Sequence, residues 1–286
     1  MNALIEYHGE AIALALEKSQ QLCAQNPFGN CAWYHASWPV LKGLGVFISL
    51  KSDDDFLLPA LQSAIEKGAR RILISGTADA GMLARVACFL PLAPNLEITV
   101  LDCCPLPLAL CQQYADIAGF KIKTLQADIL SLEDTGGFDI ICTHSFLTFF
   151  DRAQRVKLVQ QWFDLLRPRG VLITAQRVRP DETELITRYP ADEIFALQNK
   201  AEICALENGA SLNVSKELAK HSAWLYGTHH TTHLIANSDD LRAPFDGCGF
   251  VMEHFAPPPT DAPIHDVPGA PSNALAVRWR ILARRA

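Results

Sequence analysis

The 286-residue chain contains no uninterrupted apolar run approaching the roughly 18 residues of a membrane-spanning helix, so no membrane segment is expected. It has no excess of basic charge. Its 25 Lys and Arg stand against 31 Asp and Glu, a net charge of −6. That balance argues against nucleic acid as the main partner, because phosphate binding needs clustered cations. Its nine cysteines include no C-x-x-C pair, and an odd, irregular set reads as reduced thiols of a cytoplasmic protein. Cys103 and Cys104 are adjacent, so zinc ligation there is not expected. The first residues carry Glu6 and Glu10 and lack a signal-peptide pattern. What is present, 49% hydrophobic and 20% charged residues, suits a globular chain with a sizeable core.

From residue 70 onward, strand and helix patterns alternate. Short apolar runs at 70–75, 97–102, 121–126, 138–143 and 171–176 read as buried strands. Helical patterns at 79–92, 106–118 and 151–166 fill three of the four gaps between these runs, while a short link joins the third to the fourth. Such a succession predicts a parallel sheet covered by helices on both faces, with the strand C-termini along one ligand-binding edge. Two further strands are expected at 250–255 and 274–282, joined by a proline-rich loop. Ahead of the core, 1–25 and 56–67 look helical. Between them the segment 31–39 gathers Trp33, Tyr34, His35 and Trp38, either as core filler or as a lid closing on a ligand.

The first strand stops at Ser75-Gly76-Thr77-Ala78-Asp79-Ala80-Gly81. Small side chains there let backbone approach a ligand, and a following helix N-terminus offers free N–H groups. Gly76, Ala78 and Gly81 match G-x-G-x-x-G with one Ala, and Asp102 ends the next strand, where a ribose-binding acid belongs. No G-K-[ST] follows, which excludes a phosphate-binding P-loop.

Five segments in order carry a more specific likeness. They are 72–81, Ile98-Thr99-Val100-Leu101-Asp102, Gln126-Ala127-Asp128-Ile129, the strand 138–145 ending in Thr143-His144-Ser145, and Leu166-Arg167-Pro168-Arg169-Gly170. Together they resemble the class I S-adenosylmethionine-dependent methyltransferase superfamily. The resemblance implies a Rossmann-like α/β fold with a seven-stranded sheet, mostly parallel with an antiparallel last strand, and helices on both faces. It also implies S-adenosylmethionine as cofactor, at Ser75, Gly76, Thr77, Ala78, Asp102, Cys103, Asp128, Ile129, Thr143 and His144. Asp102 would accept from ribose hydroxyls and Asp128 from the adenine amino group, with Ile129 and Cys103 against the ring. The alternative for both acids is a strand-end turn former or helix cap, which the set of five segments disfavours. One departure stands out: where the family carries an acid two positions before the first glycine, this chain has Ile74.

Methyl transfer from a sulfonium needs mainly alignment and sometimes a base. His144, Tyr34 and His35 are the catalytic candidates, and Trp38, Arg177 and His230 the substrate-binding ones. Arg177 suits an acceptor carboxylate. His229 and His233 are four apart, but the surrounding Gly and Thr make a helix doubtful, so a turn rather than a metal site is expected over 226–233.

These readings give a helical lid over 1–68 and a cofactor-binding core over 69–286, with a helical insertion at about 181–236. The expected activity is methylation of a small molecule, with a homodimer left open. Two rivals remain. One is attack at the aminocarboxypropyl chain of the same cofactor, releasing methylthioadenosine, which the missing acid at Ile74 motivates. The other is a non-enzymatic binding or assembly protein on the same fold.

Overall fold

The computed structural model describes residues 2–47, 50–133, 137–180, 183–259 and 276–286, with side chains from Tyr7 onward. The N-terminal part is helical: α1 (Asn2–Cys23), α2 (Ala32–Gly43) and α3 (Asp54–Glu66). The alternating part follows as β1 (Arg71–Ser75), α4 (Gly81–Ala87), β2 (Glu97–Asp102), α5 (Pro105–Ala118), β3 (Lys123–Gln126), β4 (Phe138–His144), α6 (Arg152–Leu165) and β5 (Leu166–Val178). Next come β6 (Ile186–Arg188), α7 (Ala191–Leu212), α8 (Lys216–His229), β7 (Thr231–His233), α9 (Ser238–Asp246), β8 (Phe250–Ala256) and β9 (Val277–Arg285).

The main sheet has the order β3-β2-β1-β4-β5-β9-β8. β1 to β5 pair in parallel, and β9 runs antiparallel to both β5 and β8. This is the expected seven-stranded sheet with a reversed last strand. Its central strands are apolar on both faces because helices cover both. In β1, Ile72 and Ile74 enter one core with α3, α4 and α5, while Leu73 enters the other with α6 and α9. Each is fully buried, a contribution of about 1.5–3 kcal/mol per side chain. A third apolar cluster joins α1 and α2 to α7 and α8 as one cover, whereas α3 packs on the sheet with β1 rather than joining a lid over 1–68.

Several elements differ from the sequence expectation. The helix after β1 is only seven residues long, because turns take over before Pro91. β5 begins five residues early and carries the Leu166-Arg167-Pro168-Arg169-Gly170 turn within it. The aromatic segment is helical from Ala32 on and tolerates Pro39 inside α2. The stretch 226–233 is not a turn. α8 runs through Tyr226-Gly227-Thr228-His229, and β7 then pairs with β6. Gly227 lets α8 pack closely on α7, since a Cβ there would meet Ile194 at 3.0 Å. His229 and His233 therefore lie on different elements. Residues 274 and 275 of the expected last strand lie outside the described residues. Among the described residues, no helix is long and apolar enough to cross a membrane.

Arg155, on α6, ties several of these pieces together. It is 2% exposed and donates to the carbonyls of Leu147, His233 and Leu234. Buried carbonyls left without donors are costly. Arg155→Met is expected to lower unfolding stability by about 3 kcal/mol, read as a reduced urea midpoint, and Arg155→Lys is expected to recover only part of it.

Candidate active site

The C-terminal ends of β1 to β5 open into one cavity of about 620 Å³, within the range of small-molecule and cofactor sites. It lies where the strand order reverses between β1 and β4, the crevice position of open α/β sheets. The loop after β1 forms its floor. Gly76 has φ +72°, and a Cβ there would sit 2.3 Å from the Phe146 ring, so only glycine fits. Gly81 is similarly hemmed in by Asp79 and Lys42, each 2.8 Å from its would-be Cβ.

Asp102 ties this loop to the end of β2. Its carboxylate accepts from the backbone N–H of Thr77 (3.0 Å) and of Cys104 (2.8 Å). Each oxygen keeps further acceptor capacity, and the residue lines the cavity. Burial raises its pKa, opposed by His35 and the two backbone donors. Asp128 performs the capping role that its position suggested, accepting from Leu130 N–H at 2.9 Å, and it also lines the cavity. Ile129 and Cys103 flank these acids. Ser75 and Thr143 are not among the lining residues. The Ser75 hydroxyl faces α6 and accepts from Trp162 Nε1 at 2.9 Å, and Thr143 is 1% exposed. These two side chains are a correction to the site read from sequence.

Two charged groups missed in the sequence meet at the turn after β1. Asp79 accepts from Lys42 Nζ (2.6 Å), Trp38 Nε1 (2.7 Å) and Gly81 N–H (2.6 Å). Burial works against its charge, but the Lys42 ammonium and the other donors outweigh it and hold the carboxyl below its ordinary value. Asp79 and Lys42 both line the cavity. An acid in the glycine turn was visible in the sequence, but no signal paired it with a lysine on α2.

The opposite wall is aromatic. Tyr34 stacks on Trp38 and His230, and Tyr226 stacks on His230 at 4.6 Å between ring centroids. Arg177, 4% exposed, joins this wall, and burial lowers its pKa. Burial also pushes the Tyr34 and Tyr226 phenols up, and burial with Arg177 and Arg179 pushes His230 down, so these rings are neutral at pH 7. His35 lines the cavity as well, but its Nδ1 lies 3.6 Å from Cys23 Sγ.

His144 reaches the cavity at the end of β4. Its Nε2 is 2.9 Å from Asp53 Oδ2, which also receives Arg278 Nη1 at 2.6 Å, while Arg280 Nε reaches Oδ1 at 3.2 Å. Burial disfavours the Asp53 charge, yet His144 and Arg278 hold its carboxyl well below the usual range. An ionised Asp53 can only accept, so His144 Nε2 carries the proton and Nδ1 keeps its lone pair. Burial, aided by Arg278 and opposed by Asp53, pushes the imidazole down to about 4. The next residue, Ser145, has φ +53°, the kind of backbone outlier that accumulates at functional sites.

The depressed His144 pKa has a stability consequence. The unfolded histidine takes up a proton near pH 6.5, the folded one only near 4. Between those values the unfolded state binds more protons, so stability present above pH 6.5 is lost as the pH falls toward 4, by about 3 kcal/mol for this group. Urea titrations from pH 7 to 4 are expected to show that decline, and His144→Gln to flatten it.

The reversed last strand, the glycine turn and the acids at the ends of β2 and β3 define a methyltransferase fold. Residues 75–170 match the family described as methyltransferase domain. The demethylmenaquinone methyltransferase of Thermus thermophilus is 29% identical over 136 residues, which cover 46% of this chain and 59% of that protein. A crystal structure described as a sarcosine dimethylglycine methyltransferase from Galdieria sulphuraria superposes with a TM-score of 0.52 at 14% identity. That superposition covers 89% of this chain and 98% of that one. The likeness in sequence to a methyltransferase domain thus lies in residues 75–170, and the chain shares its fold with the Galdieria sulphuraria structure.

Proposed function

We propose that the protein transfers the methyl group of S-adenosylmethionine to a small, planar or anionic acceptor held against the aromatic wall. The observation that carries this reading is the single cavity joining the Gly76 turn, Asp102 and Asp128 to Tyr34, Trp38, Arg177 and His230. The residues present fit the cofactor: a glycine turn that a Cβ would fill, and two acids with spare acceptor capacity over an apolar floor. When bound, the cofactor supplies a methyl group activated on a sulfonium.

The chain's own residues would do the rest. Asp102 would hold the ribose hydroxyls and Asp128 the adenine amino group, with Ile129 and Cys103 against the ring. Gly76, Thr77 and Ala78 would let the backbone come close. Asp79 and Lys42 offer opposite charges to the ammonium and carboxylate of the cofactor's amino-acid end, the role that Ile74 cannot perform. Arg177 would anchor an anionic group on the acceptor, with Trp38, Tyr34 and His230 fixing its plane. His144 Nδ1, oriented through Asp53, would accept a proton from the attacking atom where one must leave. Neutral rings and a helix cover keep water out and strengthen the polar contacts that remain.

Asp102→Ala is expected to weaken binding of S-adenosylhomocysteine at least tenfold by calorimetry, the loss of charged hydrogen bonds worth about 1.5–3 kcal/mol. Incubation with S-adenosylmethionine and a small-metabolite extract is expected to give S-adenosylhomocysteine by mass spectrometry, dependent on the extract. Methylthioadenosine formed from the cofactor alone would overturn methyl transfer.

A further inference from the structure

Four side chains from separate parts of the sequence converge beside the cavity. The Sγ atoms of Cys23, Cys31 and Cys104 and a ring nitrogen of His35 all lie within 4.8 Å of one another. Cys23 Sγ is 3.6 Å from His35 Nδ1 and 3.7 Å from Cys104 Sγ. Donors placed tetrahedrally around Zn²⁺, at about 2.3 Å for sulfur and about 2.0–2.1 Å for nitrogen, stand about 3.5–3.8 Å apart. The two measured separations fall in that range without rearrangement. Cys23 and Cys104 are wholly buried and His35 is 6% exposed.

We propose that Cys23, Cys31, His35 and Cys104 form a closed structural zinc site that fastens the N-terminal helices to the end of β2. Three thiolates and one imidazole complete a four-coordinate shell of the soft donors that select zinc, leaving no open position for catalysis. Cys23 closes α1, Cys31 precedes α2, His35 lies in the first turn of α2, and Cys104 precedes α5. One ion would therefore pin two helices and the loop between them to the sheet. Asn26 Nδ2 donates to Cys31 Sγ at 3.1 Å, the kind of outer contact that supports a ligating thiolate.

The site also touches the cavity. Cys104 N–H donates to Asp102, and Cys31 and His35 line the cavity wall. The ion would thus hold the turn that presents Asp102, and it assigns His35 to the metal rather than to proton transfer. The sequence hid this set because Cys104 lies far along the chain from the Cys23-x₇-Cys31-x₃-His35 run.

The test starts with the full chain, expressed with zinc in the medium and purified under reducing conditions. Plasma mass spectrometry is expected to find one zinc per chain. Cys104→Ser and His35→Ala should lose it, while His35→Cys and the exposed Cys88→Ser keep it. Because cluster variants can fail to fold, the wild-type protein is also stripped and given Co²⁺. Thiolate-to-cobalt charge-transfer bands with intense tetrahedral visible bands, displaced by one equivalent of Zn²⁺, are expected. Wild-type protein that carries no zinc, gives no such bands and melts at the same temperature with and without Zn²⁺ would overturn the proposal. So would a disulfide joining two of these cysteines in the reduced preparation. These readouts need neither cofactor nor acceptor, so their failure is distinct from failure of methyl transfer.

Discussion

A buried carboxylate governs how this molecule encloses its cavity. Asp79 sits in the loop after β1 and takes three donors, two of them from α2. A charge in that position is tolerable only with its partners in place. Lys42 and Trp38 must therefore stay over the strand ends, and α2 becomes the roof of the cavity. The rest of the cover follows by packing, since α2 carries α1, α7 and α8 with it in one apolar cluster.

A second carboxylate does similar work on the other side. Asp53, 2% exposed, gathers Arg278 and Arg280 from the last strand and His144 from β4. The reversed strand β9 is thereby joined to the N-terminal helices as well as to β5. The same contact fixes the tautomer of His144, so one ion-pair network both closes the fold and sets the protonation of a group at the cavity. Between these two anchors, the acids at the ends of β2 and β3 face an aromatic wall made of rings from α2 and α8. The strand ends give the cavity its acids and the cover gives it its rings.

Much of the core was legible in the sequence for a simple reason. Buried parallel strands need continuous apolar runs, and their helices need an apolar stripe, so β1 to β5 announced themselves within a few residues. The acids Asp102 and Asp128 were legible because each follows a short apolar run at the point where a strand ends. The cover was less so. Residues 32–39 and 226–229 are crowded with aromatics, Pro and Gly, which weaken a helical pattern. They are helical because Val40, Leu41 and Ala223 pack inward in the same cluster. Ser75 was misread because position in a motif does not say which way a side chain turns. Its hydroxyl is taken by Trp162, from a helix 87 residues further along the chain.

The sequence by itself determined the sheet, its order of elements, the glycine at position 76 and the acids at its strand ends, because each depends on local periodicity or on a turn that only certain residues allow. Tertiary structure alone decided the partners: Lys42 with Asp79, Asp53 with His144 and two arginines, Cys104 with Cys23, and Tyr34 with Tyr226 and His230. Those pairings depend on distances closed by packing across long stretches of chain, and neither composition nor spacing encodes such distances.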